Sequence, residues 1–261
     1  MGCIGCENSK NIKEGNNIIK ESFIDFPLST PLSEIEPTIE SKYLFEESMN
    51  GGKYGTSMKI RDKITKNIYR IKILHKTSLL KFKKISNVIN YYKDMMIFNN
   101  QYVNKIIGVY QNSDNILPVC DYSNKENLYY YLYIKKKKIS FEEFIFIIIC
   151  ILNGLKYLDE KGYIHGHLTL QNIILFNDNN IFGYIPKITD YSHYINFYDN
   201  YDNELKNVKN NINQFFHLFE NHFYKYLENE NIKKTIYEIL NNKNIQSFDS
   251  LITFFNSLKE D

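Results

Sequence analysis

The stretch GLKYLDEKGYIHGHLTLQNIIL (residues 154–175) sets two histidines, His165 and His167, between the end of an apolar helix and a second apolar run. Ser140 and Glu143, further upstream, have the spacing of a capping box, in which the serine hydroxyl takes the Glu143 amide and the glutamate reaches back. From there residues 144–158 read as a helix, with Gly162 just past its end. Residues 144–152 are hydrophobic on all sides, which suits a helix buried in a core. That run is well short of the roughly 20 residues that cross a bilayer, and no secretory signal precedes it. Read as a metal pair, His165 and His167 lack a third and fourth ligand in register.

Before this helix the chain reads as strands. Residues 54–60, 68–74, 106–110 and 116–120 are strand-like and bounded by Gly, Asn and Asp. Residues 62–67 suggest a hairpin turn, and residues 86–98 a helix. MNGGKYGTS (residues 49–57) is glycine-rich, and Ile71-Lys72 follows it on the next strand. Glycines in such a loop let backbone amides approach phosphates closely. After the histidines, PKITDYS (residues 186–192) brings a strand up to Asp190. Leu205, Val208, Ile212, Phe215, Phe216, Phe219 and Phe223 recur at helical spacing. A last helical region follows Ile232, with Phe248, Leu251, Ile252, Phe255 and Leu258 on one face. A β-rich part is thus followed by a helical one.

Taken in order, these three segments resemble a protein kinase. The resemblance covers residues 42–258 and implies an α+β fold, a truncated bilobal protein-kinase-like fold. It would have a five-stranded antiparallel β-sheet N-lobe and a reduced helical C-lobe. Gly52 and Gly55 then match the second and third glycines of the phosphate loop, with Asn50 in place of the first. Ser57 stands where the family packs a valine on the adenine, and Lys72 matches the lysine that pairs with the α- and β-phosphates. Cys120, at the gatekeeper position, and Asp121 lie where the strand enters the hinge. The family's catalytic loop reads His-Arg-Asp-Leu-Lys-Pro-Glu-Asn. Against it His165, Leu168 and Asn172 are kept, Gly166 replaces the Arg and His167 the catalytic Asp. Thr169, Leu170 and Gln171 replace the Lys, Pro and Glu. Asp190 matches the magnesium-binding Asp, followed by Tyr191 and Ser192 for Phe and Gly. The resemblance therefore implies ATP and Mg2+ as cofactors. Gly52, Gly55, Lys72, Cys120 and Asp121 would meet the nucleotide, and Asn172 and Asp190 the metal.

The departures shape the functional expectation. His167 cannot copy the charge of the catalytic Asp, although a neutral imidazole can act as a base. Thr169 removes the cation that faces the transferred phosphate. The helix glutamate that pairs with the lysine has no match, since Lys93 falls near its register and Asp94 one residue off. No activation segment and no Ala-Pro-Glu-like motif follow Ser192. No catalytic set is intact. The spacing of the first lobe, including Arg61-Asp62-Lys63, most resembles the calcium-dependent protein kinases of plants and protists. No Asp-rich loop of EF-hand type is present to sense calcium.

The first six residues, MGCIGC, resemble the N-termini of dually acylated signalling proteins, including Src-family kinases. Gly2 would take a myristoyl chain after Met removal, with Cys6 where the pattern has Ser or Thr. One such chain binds membranes only marginally; palmitoyl groups on Cys3 and Cys6 would make attachment stable. Pro31 and Pro37 break local helix in the residues that follow, which read as a solvated linker with Ser29, Thr30 and Ser33 as candidate phosphosites. Residues 1–37 are expected to be an acylated flexible tether, 38–122 the N-lobe, and 123–261 a reduced C-lobe lacking an activation segment.

Composition agrees with a folded protein. The 261 residues are 43% hydrophobic, which argues against wholesale disorder. A net charge of +2 gives no signal for nucleic acid. The four cysteines form neither a disulfide framework nor a zinc pattern. Lys135 to Lys138 form a basic run that could touch anionic lipid, with a solvated edge as the plainer alternative. The function expected is a membrane-tethered pseudokinase, acting as a scaffold or allosteric partner at the cytoplasmic face of a membrane, with or without residual ATP binding. The alternatives are an atypical Mg-ATP-dependent transferase using Lys72, Asn172 and Asp190, and a nucleotide-free interaction module. The partners are a membrane, through the acyl chains, and a protein whose identity the sequence does not name.

Overall fold

The computed structural model describes residues 39–52, 55–79, 85–190, 211–223, 233–234, 236–238 and 247–258. The chain divides into two compact units. The first runs to Lys93 and takes in Ile106–Tyr122; the second comprises Asp94–Lys105 and the chain from Ser123 onward.

Strands β1 (Tyr43–Gly52), β2 (Gly55–Asp62), β3 (Ile68–His75), β4 (Ile106–Gln111) and β5 (Asn115–Asp121) build the first unit. They form one antiparallel sheet in the order β1-β2-β3-β5-β4. This is the five-stranded N-lobe sheet expected from the sequence, except that β1 begins well ahead of the glycine-rich stretch. Alternation sends Ile60, Ile71 and Val119 to one face, where they join Ile39, Tyr43 and Leu117 in a buried cluster. Ile39 comes from α1 (Ile39–Lys42), a single turn ahead of β1, and is fully buried. Tyr43 meets Tyr69 and Tyr110 edge-on, with ring centroids 6.0 and 6.1 Å away, a favoured aromatic geometry.

The turn between β2 and β3 falls where the sequence puts it. The Asp62 carboxylate accepts from the amides of Ile64 (2.9 Å) and Thr65 (2.8 Å), an Asx-type turn. Those backbone bonds lower the carboxyl pKa from its usual value. A short turn, α2 (Lys76–Leu79), follows β3. Helix α3 spans Ile85–Met95 and buries Val88, Ile89, Tyr91, Tyr92 and Met95, while Lys93 and Asp94 are exposed.

The second unit is organised by α4 (Phe141–Glu160). Ten of its residues are buried, from Phe144 to Leu158, as its all-round hydrophobicity predicts. The Ser140 hydroxyl accepts from the Glu143 amide at 3.1 Å, which caps the helix. The second half of the expected capping box is not made. Glu143 Oε1 instead accepts from the phenols of Tyr131 (2.9 Å) and Tyr184 (2.7 Å). Two bonds to a carboxylate outweigh one to an accessible backbone amide. Burial first, then Glu143, pushes the Tyr131 phenol up to about 12.

Gly154 lies inside α4, where glycine costs about 1 kcal/mol relative to alanine. A Cβ there would stand 2.9 Å from the Tyr102 carbonyl oxygen and 2.7 Å from Ile188 Cδ1. The close approach explains the residue, because Ile188 ends a strand laid against the helix. That strand, β7 (Tyr184–Ile188), pairs antiparallel with β6 (Ile173–Asn177). Helix α5 (Asn211–Leu218) continues as a π-helical turn over Phe219–Phe223, and α6 spans Phe248–Ser257. Phe144, Phe215, Phe219, Phe223 and Phe255 are fully buried in one core, each contributing about 2–3 kcal/mol of burial. Ile212 and Phe216 join them, and α6 turns Phe248, Leu251, Ile252 and Leu258 to the same core, as the periodicity predicts. Leu205 and Val208 lie outside the described residues, as do the N-terminal acylation positions and the segment after Asp190. Among the described residues no helix is long and apolar enough to cross a membrane.

Candidate functional site

In the first unit the sheet register decides which side chains share a face. Ser57 lies opposite Lys72, Lys59 opposite Arg70, and Arg70 opposite Cys120. Opposed residues in an antiparallel sheet project to the same side. Ser57, Lys59, Arg70, Lys72 and Cys120 therefore share the face opposite the Tyr43 cluster. Gly52 pairs with Gly55 across the glycine-rich hairpin, whose two intervening residues lie outside those described. Asp121, paired with Tyr69, is carried to the other face at the end of β5.

Arg70 was not singled out in the sequence, although its two-residue spacing from Lys72 puts both on one face. Its Nη2 donates to the Ser57 hydroxyl at 3.1 Å. Ser57 is buried, and Cys120 Sγ donates to the Arg70 carbonyl at 3.5 Å. The space above Ser57 thus holds a guanidinium. Lys59, on the same face, pairs with Glu46 at 3.3 Å.

In the second unit the loop with the two histidines is held from several sides. His165 is fully buried. Its Nε2 lies 3.0 Å from the Thr189 carbonyl, to which it can only donate, so Nδ1 is the acceptor for the His167 amide at 3.2 Å. Burial pushes its pKa down to about 3, so the ring is neutral and both nitrogens serve structure. The amide of His165 donates to Asn211 Oδ1 (2.8 Å), whose Nδ2 donates to the Tyr163 carbonyl (2.9 Å). Three residues on, Gln214 Oε1 accepts from the Leu168 amide at 3.2 Å. Two buried amides at the start of α5 thus hold a loop 46 residues earlier in the chain. The sequence showed α5 only as a phenylalanine stripe; no local signal tied Asn211 or Gln214 to the loop.

His167 itself is exposed. Its carbonyl accepts from Asn172 Nδ2 at 2.9 Å. Asn172 and Asp190 are tied through Thr189, whose amide donates to the Asn172 carbonyl (2.8 Å) and whose hydroxyl donates to Asp190 Oδ1 (3.2 Å). Asp190 sits at φ 60°, the left-handed region that Asp tolerates better than most residues. The structure thus brings His165, His167, Asn172 and Asp190 into one hydrogen-bonded loop region.

The sequence profile of the protein tyrosine and serine/threonine kinases matches residues 44–238. The chain belongs to this kinase family. Among curated relatives, human NUAK family SNF1-like kinase 1 is 24% identical over 153 residues, 59% of this chain and 22% of that protein. A RAC family serine/threonine-protein kinase homolog of Dictyostelium discoideum is 24% identical over 130 residues, 50% of this chain and 29% of that protein. The serine/threonine-protein kinase PKH2 of Candida albicans is 29% identical over 158 residues, 57% of this chain and 15% of that protein. The chain thus spans less than a third of each of these kinases.

Kinase-family cofactors can be tested against these side chains. Asn172, with its amide nitrogen on the His167 carbonyl, keeps Oδ1 as an oxygen donor, and the Asp190 carboxylate is a second; oxygen donors are what Mg2+ takes. Among the described residues no group of three or more His, Cys, Asp or Glu gathers to hold a metal. At the position where the family packs a valine on the adenine, Ser57 is instead bonded by the Arg70 guanidinium, so a purine there would meet a charged group in place of an apolar one.

Proposed function

We propose that this kinase-family chain is a pseudokinase that works as a scaffold or allosteric partner for another protein. It would be tethered to the cytoplasmic face of a membrane by acyl chains on Gly2, Cys3 and Cys6. The observation that carries the reading is His167. It occupies the position of the catalytic Asp in a loop whose supports are otherwise in place: buried neutral His165, Asn211 and Gln214. An imidazole there offers no fixed negative charge to orient a substrate hydroxyl. The Arg70–Ser57 contact supports the same reading and favours a protein that works without nucleotide.

Phosphate transfer from labelled ATP by the purified full chain is the test, with the Asp190→Ala variant as control. The expected result is background incorporation in both. Incorporation that is lost in Asp190→Ala would refute the reading. The tether is tested apart from this, by metabolic labelling with alkyne-tagged myristate and palmitate in cells. Label should require Gly2 and fall on Cys3→Ser/Cys6→Ser; unlabelled wild-type protein would remove that part.

A second reading, an atypical Mg-ATP-dependent transferase, draws support from the Asn172–Thr189–Asp190 linkage and the retained Lys72. Mass spectrometry of partner proteins incubated with the chain and Mg-ATP would expose it as added phosphoryl or nucleotidyl mass.

A further inference from the structure

We propose that the loop between the Tyr130–Ile134 turn and α4 is a docking surface for an anionic lipid bilayer. Lys135, Lys136, Lys137 and Lys138 are consecutive and all exposed. Apolar side chains stand out on both sides of them: Tyr130 is 45% exposed, Ile134 53% and Phe141 39%. Exposed cations flanked by exposed apolar groups differ from an ordinary solvated edge, which carries the charges alone.

The loop is held in shape by its backbone. The Lys135 amide donates to the Tyr130 carbonyl (2.9 Å) and the Lys137 amide to the Tyr131 carbonyl (3.3 Å). Beneath it, Tyr129 and Tyr133 stack at 5.2 Å, and Leu132 is buried. The turn is therefore anchored on one side and presents the other to solvent. Lys135 pairs with Glu126 at 2.8 Å. Among the described residues Lys136, Lys137 and Lys138 have no acidic partner, and Glu142 at the start of α4 is the nearest acid in sequence.

The chemistry favours lipid over an acidic protein or a nucleic acid. Lysines reach phosphate and carboxylate headgroups while their stems lie along apolar surface. Ile134 and Phe141 would enter the headgroup–acyl boundary, which suits aliphatic and aromatic groups. A nucleic acid backbone gives an isoleucine nothing to contact. The inference rests on the membrane reading above for its setting: one acyl chain holds a protein marginally, and a basic patch is a second signal that stabilises it.

The test uses the full chain produced without acyltransferases, so that acylation plays no part. Partition is measured by co-sedimentation with vesicles of phosphatidylcholine and of phosphatidylcholine doped with phosphatidylserine. The wild-type chain should bind the anionic vesicles, with partition falling as salt rises. Each lysine near the surface is worth about fivefold, so Lys136→Gln/Lys137→Gln/Lys138→Gln should lower partition more than tenfold. Ile134→Ser should lower it several-fold and leave the salt dependence unchanged. All four positions are exposed, so the variants should keep the wild-type unfolding temperature. Equal wild-type partition onto both vesicle types would overturn the proposal, as would equal binding of the triple variant and the wild type. Failure of the acyl reading would show instead as absent label on Gly2 in cells, with vesicle binding intact.

Discussion

The catalytic-loop region and the sheet face that carries Lys72 differ from the kinase pattern in opposite ways. In the second unit, on the proposed reading, a well-held loop carries an imidazole where the family has its reactive carboxylate. His165 is buried and neutral, Asn211 and Gln214 hold the loop, and Asn172 and Asp190 are joined through Thr189. On the proposed reading His167 stands at the catalytic position, with Gly166, Thr169, Leu170 and Gln171 as further departures from the family loop. In the first unit the reactive group remains and its surroundings have changed. Lys72 keeps its place on β3, but Arg70 on the same face covers Ser57. The frame of a loop and the chemistry it carries are under separate physical constraints. A frame buried in a core is kept by stability alone, whereas an open face can be refilled at little cost.

The largest effect should come from breaking the frame. Asn211 is fully buried, and replacing it by Leu strips partners from the buried His165 amide and Tyr163 carbonyl. At about 1–3 kcal/mol for each buried group left unpaired, Asn211→Leu should lose about 3–5 kcal/mol of stability, read from the denaturant midpoint. Asn211→Asp, which keeps the acceptor, should lose less. If Asn211→Leu is neutral, the loop is held by something else.

Next comes acid. His165 has a folded pKa depressed to about 3, so its neutral form stabilises the fold above its unfolded value of 6.5. That stability is lost as pH falls from about 6.5 toward 3, at up to about 1.4 kcal/mol per pH unit. His165→Gln should flatten this slope between pH 6 and pH 4, roughly the titration window. An unchanged slope would mean that His165 is not the group taking up the proton.

Gly154→Ala should destabilise by about 1–3 kcal/mol through overpacking, despite the better helix propensity of alanine. The added Cβ presses on the Tyr102 carbonyl, which is backbone and cannot rotate away. A stabilised variant in thermal unfolding would show that β7 and the Tyr102 segment yield. The smallest stability change is expected at Arg70→Ala, about 0.5 kcal/mol or less for a partly exposed contact. Its consequence should be a gain: uncovering Ser57 should let the variant bind ATP more tightly than the wild type in equilibrium titration.

The sequence made the fold legible where a pattern was local. The apolar run of α4, the alternation of β2 to β5, the Asp62 turn and the stripe of α6 all follow from residues within a few positions of one another. β1 was less visible, because its second half coincides with the glycine-rich stretch and reads as a loop. β6 was hidden at the end of the catalytic-loop pattern. The Glu143 contacts were misread because a capping box is a local rule, and two core phenols compete for the same carboxylate. The site was legible as a list of positions through family resemblance, but not as a network. Asn211 and Gln214 act across 46 residues, and no spacing rule links them to the loop. Arg70 was within reach of the strand alternation that marks Lys72, and its bond to Ser57 needed the paired strand in place.

The most direct test of the contrast is thermal unfolding of the full chain in ATP, with and without Mg2+. A ligand at about 100 times its Kd adds about 2.7 kcal/mol of stability, which shifts Tm by a few degrees in a domain of this size. The account expects no shift for the wild type at millimolar ATP, because Lys72 is retained while Arg70 bonds Ser57 on the same face. A magnesium-dependent rise, abolished by Lys72→Ala or Asp190→Ala, would contradict it and restore both an ATP-binding pseudokinase and the nucleotide-dependent enzyme.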